Sequence, residues 1–332
     1  MGDIGISALP EGAEGDRLAG LSIASSRHHP YRFVPAASDR DLDPVWRAEI
    51  LEYAASGKVF VASVDGETIG VAVYADLPWD TRVLGDQMGR LKYLFVQPGH
   101  PHRRQVIGCL LDRLIGWASD RGIDCLLCKT FSDDVEMVHA LERRGFLLMD
   151  TLLNYVCDLQ RDPLDTIPRP LLDAEFDIRP AGDEVDALMS LAQAAFHGHF
   201  GRFHSDERIS QSRATRIYEE WMRSSLEGYA DLILVAECGG RLAGCSIWKG
   251  PSALERRLDI RLGHYSIGLV HPHFHRRGLF TALTYAGMAR LEDQVDYIEG
   301  PTHINNYAVQ RGYGKLHWRI HDAHHSFHKW LR

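Results

Sequence analysis

Residues 271–284, HPHFHRRGLFTALT, bring three histidines, two arginines and a glycine to the start of an apolar helical pattern. Metal binding, nucleic-acid contact and phosphate binding all use residues of these kinds. His271, His273 and His275 have no Cys or carboxylate partner at a firm zinc spacing. His321, His324, His325 and His328 have none either, so no metal is expected. The net charge of −8 disfavours nucleic acid, whose phosphates are gripped by an excess of Lys and Arg. Phosphate binding remains. HYSIGLV (264–270) reads as a strand, and helical spacing resumes at Phe280, Leu283, Gly287 and Leu291. The glycine therefore lies at a helix amino terminus, where N–H groups lack helical partners and the dipole favours an anion. Arg276 and Arg277 add charge there, and Gly278 permits close approach.

The elements that must position this loop occur twice. FVASVDGETIGVAV (60–73) matches LVAECGGRLAGCSI (234–247) at an offset of 174, pairing Ala62 with Ala236, Gly66 with Gly240 and Gly70 with Gly244. Each copy is a strand, a tight Gly turn and a second strand, the pattern of a hairpin. The same offset carries Val96 onto Val270 and Pro98 onto Pro272. It becomes 172 through the following helix and on to residues 143–146. Hairpin, strand, loop, helix, strand and helix in duplicate imply tandem α/β domains. The boundaries expected are a flexible segment at 1–28, a domain at 29–160, a Pro-rich linker at 161–175 and a domain at 176–332.

Composition sets the class. With 45% hydrophobic and 25% charged residues, the chain reads as globular. Its amino terminus lacks the pattern of a signal peptide, and no apolar run is long enough to span a bilayer, so no membrane association and a cytoplasmic location are expected. Cys125 and Cys128 form a C-x-x-C within IDCLLCKTF and read as strand residues, because no second pair completes a ligand set.

With the loop and the repeat in view, the chain resembles the GNAT superfamily of acyl-CoA-dependent N-acyltransferases. In that family a strand ending V-x-P precedes a Q/R-x-x-G-x-G/A loop that binds the CoA pyrophosphate. Here the pattern reads His275, Arg276, Arg277, Gly278, Leu279 and Phe280, with His for Gln or Arg and Phe for the last small residue. HINNYAVQRGYGKLHW (303–318) is similar to the family's N-x-x-A…Y-x-x-x-G-F stretch, with Asn306, Ala308 and Tyr313 at matching positions and His317-Trp318 replacing Gly-Phe. The resemblance covers 176–332 well and 30–160 weakly. It implies two GNAT-like domains, each a mixed, mostly antiparallel sheet with helices on both faces. It implies acyl-CoA as co-substrate, acetyl or long-chain, bound by the 275–280 loop with Thr281 and Asn306. Leu269 and Val270 would offer backbone hydrogen bonds to the pantetheine, and Tyr313 would be the general acid. The first copy carries Val106, Asp134 and Leu141 at the positions of Gly278, Asn306 and Tyr313. It therefore reads as degenerate, shaping the acceptor site or the interdomain packing.

Residues 192–237 resemble acetyltransferases that modify nucleotide-linked amino sugars. The two-domain layout resembles the teicoplanin-type glycopeptide-antibiotic N-acyltransferases. The acceptor expected is an amino-sugar-bearing small molecule or glycopeptide, first the glucosamine of a teicoplanin-like glycopeptide antibiotic with a long acyl chain, and as the alternative a nucleotide-linked amino sugar that is acetylated. Phe196, Phe200 and Phe203 are candidate lining for the acyl chain. His197 is the candidate base, with His199 and Glu299 as alternatives. No Cys or Ser is placed for a covalent intermediate, so direct attack is expected. The competing class is a noncatalytic acyl-CoA sensor. A monomer or homodimer is expected.

Overall fold

The computed structural model describes residues 3–12, 15–22, 29–35, 37, 39–198 and 200–332. In chain order its elements are β1 (Ile4–Ala8), α1 (Asp39–Ala54), β2 (Val59–Val64), β3 (Glu67–Asp76), α2 (Pro78–Leu84) and β4 (Met88–Val96). There follow α3 (Arg103–Asp120), β5 (Cys125–Phe131), α4 (Val135–Glu142), β6 (Leu147–Asp158), β7 (Phe176–Pro180), α5 (Val185–Phe196) and α6 (Gln211–Ser224). The chain closes with β8 (Leu232–Cys238), β9 (Arg241–Lys249), α7 (Ala253–Arg257), β10 (Leu262–Val270), α8 (Leu279–Leu291), β11 (Tyr297–His303), α9 (Tyr307–Lys315) and β12 (Arg319–Trp330).

The duplication read from the sequence is kept in backbone detail. Both hairpins close on two residues of positive φ, Asp65 and Gly66 in one and Gly239 and Gly240 in the other, as two-residue turns between twisted strands require. Each hairpin slips register at the equivalent place, at Ala62/Ser63 and at Ala236/Glu237. A second irregularity recurs where β4 meets β3 and where β10 meets β9. The fold is α/β with mixed pairing, as expected.

Two compact units divide the chain: 1–149 with 324–332, and 150–323. In the first, the strand order is β1-β2-β3-β4-β5-β12, and α3 buries Val106, Ile107, Leu110, Leu111 and Leu114 against the sheet. In the second, the order is β7-β8-β9-β10-β11-β6. One face of this sheet is covered by α5 and α6, where Leu188, Leu191 and Met222 meet Ile267 and Leu269. The other face is covered by α8 and α9, where Met288 and Tyr313 meet Trp248, Tyr265 and Ile298.

Three boundaries differ from expectation. The last strand of each repeat serves the other unit's sheet: residues 152–158 of β6 pair with β11, and residues 324–330 of β12 pair with β5. Alternation identifies a strand but not its neighbour, so a cut at 160 was not the natural one. The amino-terminal segment is structured where described, because β1 pairs along β2 and Leu9, Leu18 and Leu21 are buried. The linker is half core: Leu164 and Ile167 are buried in the second unit, whereas Leu171 is 96% exposed.

Candidate active site

β10 and β11 run parallel but pair only from Leu262–His264 against Tyr297–Glu299. Beyond that point β10 stays with β9 and β11 with β6, and the two strands diverge. The His271 N–H donates to the Ala243 carbonyl at 2.9 Å, which fixes the alternation along β10. Leu269 then turns its backbone groups toward β9, and Gly268 and Val270 turn theirs into the opening. Val270 and Leu269 thus direct their backbone groups to opposite sides, since one residue of register reverses the direction.

The loop at the end of β10 has the geometry of an anion cradle. Gly278 caps α8 with φ +76° and no side-chain cap, and Arg276 is also left-handed at +66°. Ala282 is the first residue bonded within the helix, to the Gly278 carbonyl at 3.0 Å, leaving the N–H groups of Leu279, Phe280 and Thr281 without helical partners. Arg276 is exposed. Arg277 is committed elsewhere: its guanidinium pairs with Asp173 at 2.7 Å and with Glu175, and lies 4.5 Å from the Phe176 ring centroid. His275 turns back, its Nε2 3.1 Å from the Val270 carbonyl. Charge beside the cradle therefore comes from Arg276 rather than from both arginines.

Tyr313 on α9 is 1% exposed and lies parallel to Trp318, with ring centroids 4.5 Å apart. A Cβ at Gly300 would meet the Tyr313 hydroxyl at 2.7 Å, so the phenol rests on the first β11 residue beyond its pairing with β10. Burial raises the Tyr313 pKa well above its usual value and keeps the phenol protonated. Phe280 lies between the helices and the opening: Cβ atoms at Gly312 and Gly268 would meet its ring at 2.6 and 3.2 Å. The last position of the loop motif is therefore filled by an aromatic wall. Asn306 is a helix cap, its Oδ1 accepting from the Val309 N–H at 3.4 Å.

On the opposite face, where β10 and β11 last pair, His264 sits between two carboxylates. Its Nδ1 is 2.8 Å from Glu299 Oε1 and its Nε2 is 3.0 Å from Glu255 Oε2. Burial opposes the charged ring, but the hydrogen bonds and charges of Glu255 and Glu299 outweigh it and push its pKa up to about 9. Glu255 is held below the usual carboxylate range by His264 and Ser252 despite its burial.

Residues 23–146 match the model of the acetyltransferase (GNAT) family. Curated proteins yield no match. Among solved structures, a tandem GNAT protein from the clavulanic acid biosynthesis pathway aligns over 99% of both chains at 14% identity and a TM-score of 0.59. A GCN5-related N-acetyltransferase from Sphaerobacter thermophilus aligns over 99% of this chain and 96% of its own, at 15% identity and 0.62. The glucosamine N-acetyltransferase region of a fungal multi-domain GH3 β-N-acetylglucosaminidase covers 99% of this chain and 38% of that one, at 13% identity and 0.62. The fold is the tandem GNAT fold.

The family match falls on the first GNAT unit, although the loop and tyrosine motifs lie in the second. The first unit repeats the arrangement of the second, with strands β4 and β5 pairing only from Met88–Leu91 against Cys125–Cys128. Its chemistry differs. Val106 is buried inside α3, because the helix already begins at Arg103, and Arg103 is held by Asp134 at 2.8 Å and by Glu136. Asp134 caps α4 as Asn306 caps α9, and Leu141 is core.

Other expected site residues are placed differently. His197 ends α5 on the surface, with no polar contact to β10 or β11 among the described residues, and His199 lies outside those residues. Phe196 and Phe203 are buried core side chains, and Phe200, 44% exposed, packs on His303, so these three form no common channel wall. His271 caps the turn before the cradle by accepting from the His273 N–H at 3.2 Å. Among the described residues no group of three or more His, Cys, Asp or Glu is placed to hold a metal, and no helix is long and apolar enough to cross a membrane. Cys125 and Cys128 are buried β5 residues, and burial pushes the Cys128 thiol up to about 12. His264 and Glu255 went unread, although the repeat offsets put Arg90 and Leu127 where His264 and Glu299 stand.

Proposed function

We propose that this protein is an acyl-CoA-dependent N-acyltransferase whose second unit carries the reaction by direct attack of an amine on the thioester. The observation behind the reading is the vertex where β10 and β11 part. Tyr313 rests on Gly300 on one face, and Glu299 stands beside His264 on the other. The free N–H groups of α8 and the exposed Arg276 fit the pyrophosphate, and the inward backbone groups of Gly268 with the Val270 N–H fit the pantetheine amides. Acyl-CoA supplies the acyl group as a thioester. Tyr313 gives a proton to the departing sulfur, and Glu299 rather than His197 takes one from the amine.

With Phe196 and Phe203 in the core, the acyl group favoured is acetyl rather than long-chain. The acceptor class retained is the amine of an amino sugar, free or on a glycopeptide, supported by the likeness of 192–237 and by the fold shared with a glucosamine N-acetyltransferase region. The nucleotide-linked sugar is the alternative. A noncatalytic acyl-CoA sensor is favoured by one observation, the Phe280 ring lying against Gly268 and Gly312 at the opening. Thiol release from acetyl-CoA with glucosamine, with a nucleotide-linked amino sugar and with a glycopeptide pseudoaglycone separates these readings. Amine-dependent release is expected. It should fall by about 10²–10⁴ in Tyr313→Phe with acetyl-CoA affinity retained. Cofactor binding without release for any amine would establish the sensor.

A further inference from the structure

His264 is gripped at both ring nitrogens by carboxylates from two elements, Glu299 on β11 and Glu255 on α7. A neutral imidazole has one donor and one acceptor, whereas two ionised carboxylates call for two donors, so the imidazolium is the form that satisfies both. The carboxylates are themselves anchored. Glu255 is buried in a capping box and accepts from the Ser252 N–H at 2.6 Å. Glu299 Oε2 accepts from Asn154 Nδ2 at 3.3 Å. Across the sheet, Lys249 is paired with His264 in register, but its ammonium is bound by the Tyr229 carbonyl and lies 4.0 Å from the Tyr229 ring centroid. Among the described residues, one imidazolium thus stands between two carboxylates at the vertex, on the face opposite Tyr313.

We propose that His264 is a positioning residue: as the imidazolium it fixes Glu299 so that this carboxylate receives the ammonium of the acceptor and takes the proton its nitrogen gives up. This rests on the acyltransferase reading of the same site. In the step, the nitrogen lone pair bonds to the thioester carbonyl carbon. The carbon–sulfur bond breaks with its electrons going to sulfur, and sulfur takes the Tyr313 proton. Glu299 takes one proton from the ammonium before the attack, which frees the lone pair, and passes it to water. The second proton leaves nitrogen by the same route as the amide forms, and water returns one proton to the Tyr313 phenolate, so that one proton in all is released to solvent. The acceptor class is a primary amine with no anionic group beside the nitrogen, because such a group would face Glu299 and Glu255. The first unit, with Arg90 and Leu127 at these positions, has no such arrangement.

NMR titration of the histidine rings in the full chain reads the clamp directly, with the His264 signal assigned by its loss in His264→Gln. The wild-type ring should titrate more than about one pH unit above the ordinary value near 6.5. Glu299→Gln should lower the midpoint, and saturating glucosamine should lower it in wild type but not in Glu299→Gln. A midpoint at the ordinary value, or one unmoved by Glu299→Gln or by glucosamine, overturns the proposal. In turnover with acetyl-CoA and glucosamine, His264→Gln should reduce kcat/KM by on the order of tenfold or more and alter its pH profile, with acetyl-CoA affinity within about twofold. An unchanged profile counts against the role. Failure of the wild type to bind acetyl-CoA in calorimetry overturns the acyltransferase reading instead, and the NMR midpoints still decide the clamp.

Discussion

Gly300 is the residue at which one added carbon would disturb the candidate chemistry most directly. A methyl there would stand 2.7 Å from the Tyr313 hydroxyl and 2.9 Å from the Trp318 ring, closer than packed atoms tolerate. Gly300→Ala should therefore destabilise the protein by ~1–3 kcal/mol in urea unfolding, the usual range for overpacking. Removing the hydroxyl relieves part of the clash, so Tyr313→Phe in the Gly300→Ala background should recover some of that loss. Additive effects of the two changes would mean that the phenol does not rest on β11. The His264 ring links folding to pH at the same scale. Its pKa is raised to about 9, so its stabilisation is fully present below the unfolded value near 6.5 and is lost as pH rises through 9. Urea midpoints taken between about pH 6 and about pH 10 should fall less steeply in His264→Gln than in wild type. Parallel curves would contradict the raised pKa.

The amino end of α8 is the element on which cofactor binding should depend. Its cap requires a left-handed backbone at Gly278, φ +76°, which a β-branched residue adopts only at a cost. Gly278→Val should rotate the N–H groups of Leu279, Phe280 and Thr281 away from a common point and reduce acetyl-CoA binding below calorimetric detection. Helix α3 offers no equivalent, because it starts at Arg103 and that guanidinium is held by Asp134 and Glu136. One CoA per chain is the stoichiometry expected. Two equivalent sites, or normal affinity in Gly278→Val, would remove the cradle from the account.

At the scale of the whole chain, the first unit depends on a segment from the far end, whereas the second is continuous from Asp150 to Ala323. Residues 324–330 of β12 cover the edge of β5 and carry buried Phe327 and His328. Deleting 324–332 should leave β5 with unpaired backbone groups and open the first unit's core. Limited proteolysis should then cut within residues 1–149 far faster than in the full chain, with aggregation alongside. Unchanged protection of those residues would show that the first unit stands without β12.

Local signals carried a large part of this architecture. The Asp-Gly and Gly-Gly turns, the alternating strands and the glycine before an apolar helix each express a preference held within a few residues. A duplicated run of such preferences therefore revealed a duplicated α/β fold, and Gly278 was legible as the start of a helix because a glycine before apolar helical spacing is a local signal. The meetings of distant residues were not legible. His264, Glu255 and Glu299 converge only through the register of β10 on β11 and the return of α7, and a register shift of one residue would have turned them apart. The same holds for His197: its place after an apolar helix was visible, but not where that helix ends relative to β10. Strand β6 was assigned to the first domain, within 29–160, because alternation records which face is buried and not which strand lies alongside. That choice is made by pairing between residues some 145 positions apart, as between Tyr155 and Gly300, and only tertiary structure decides it.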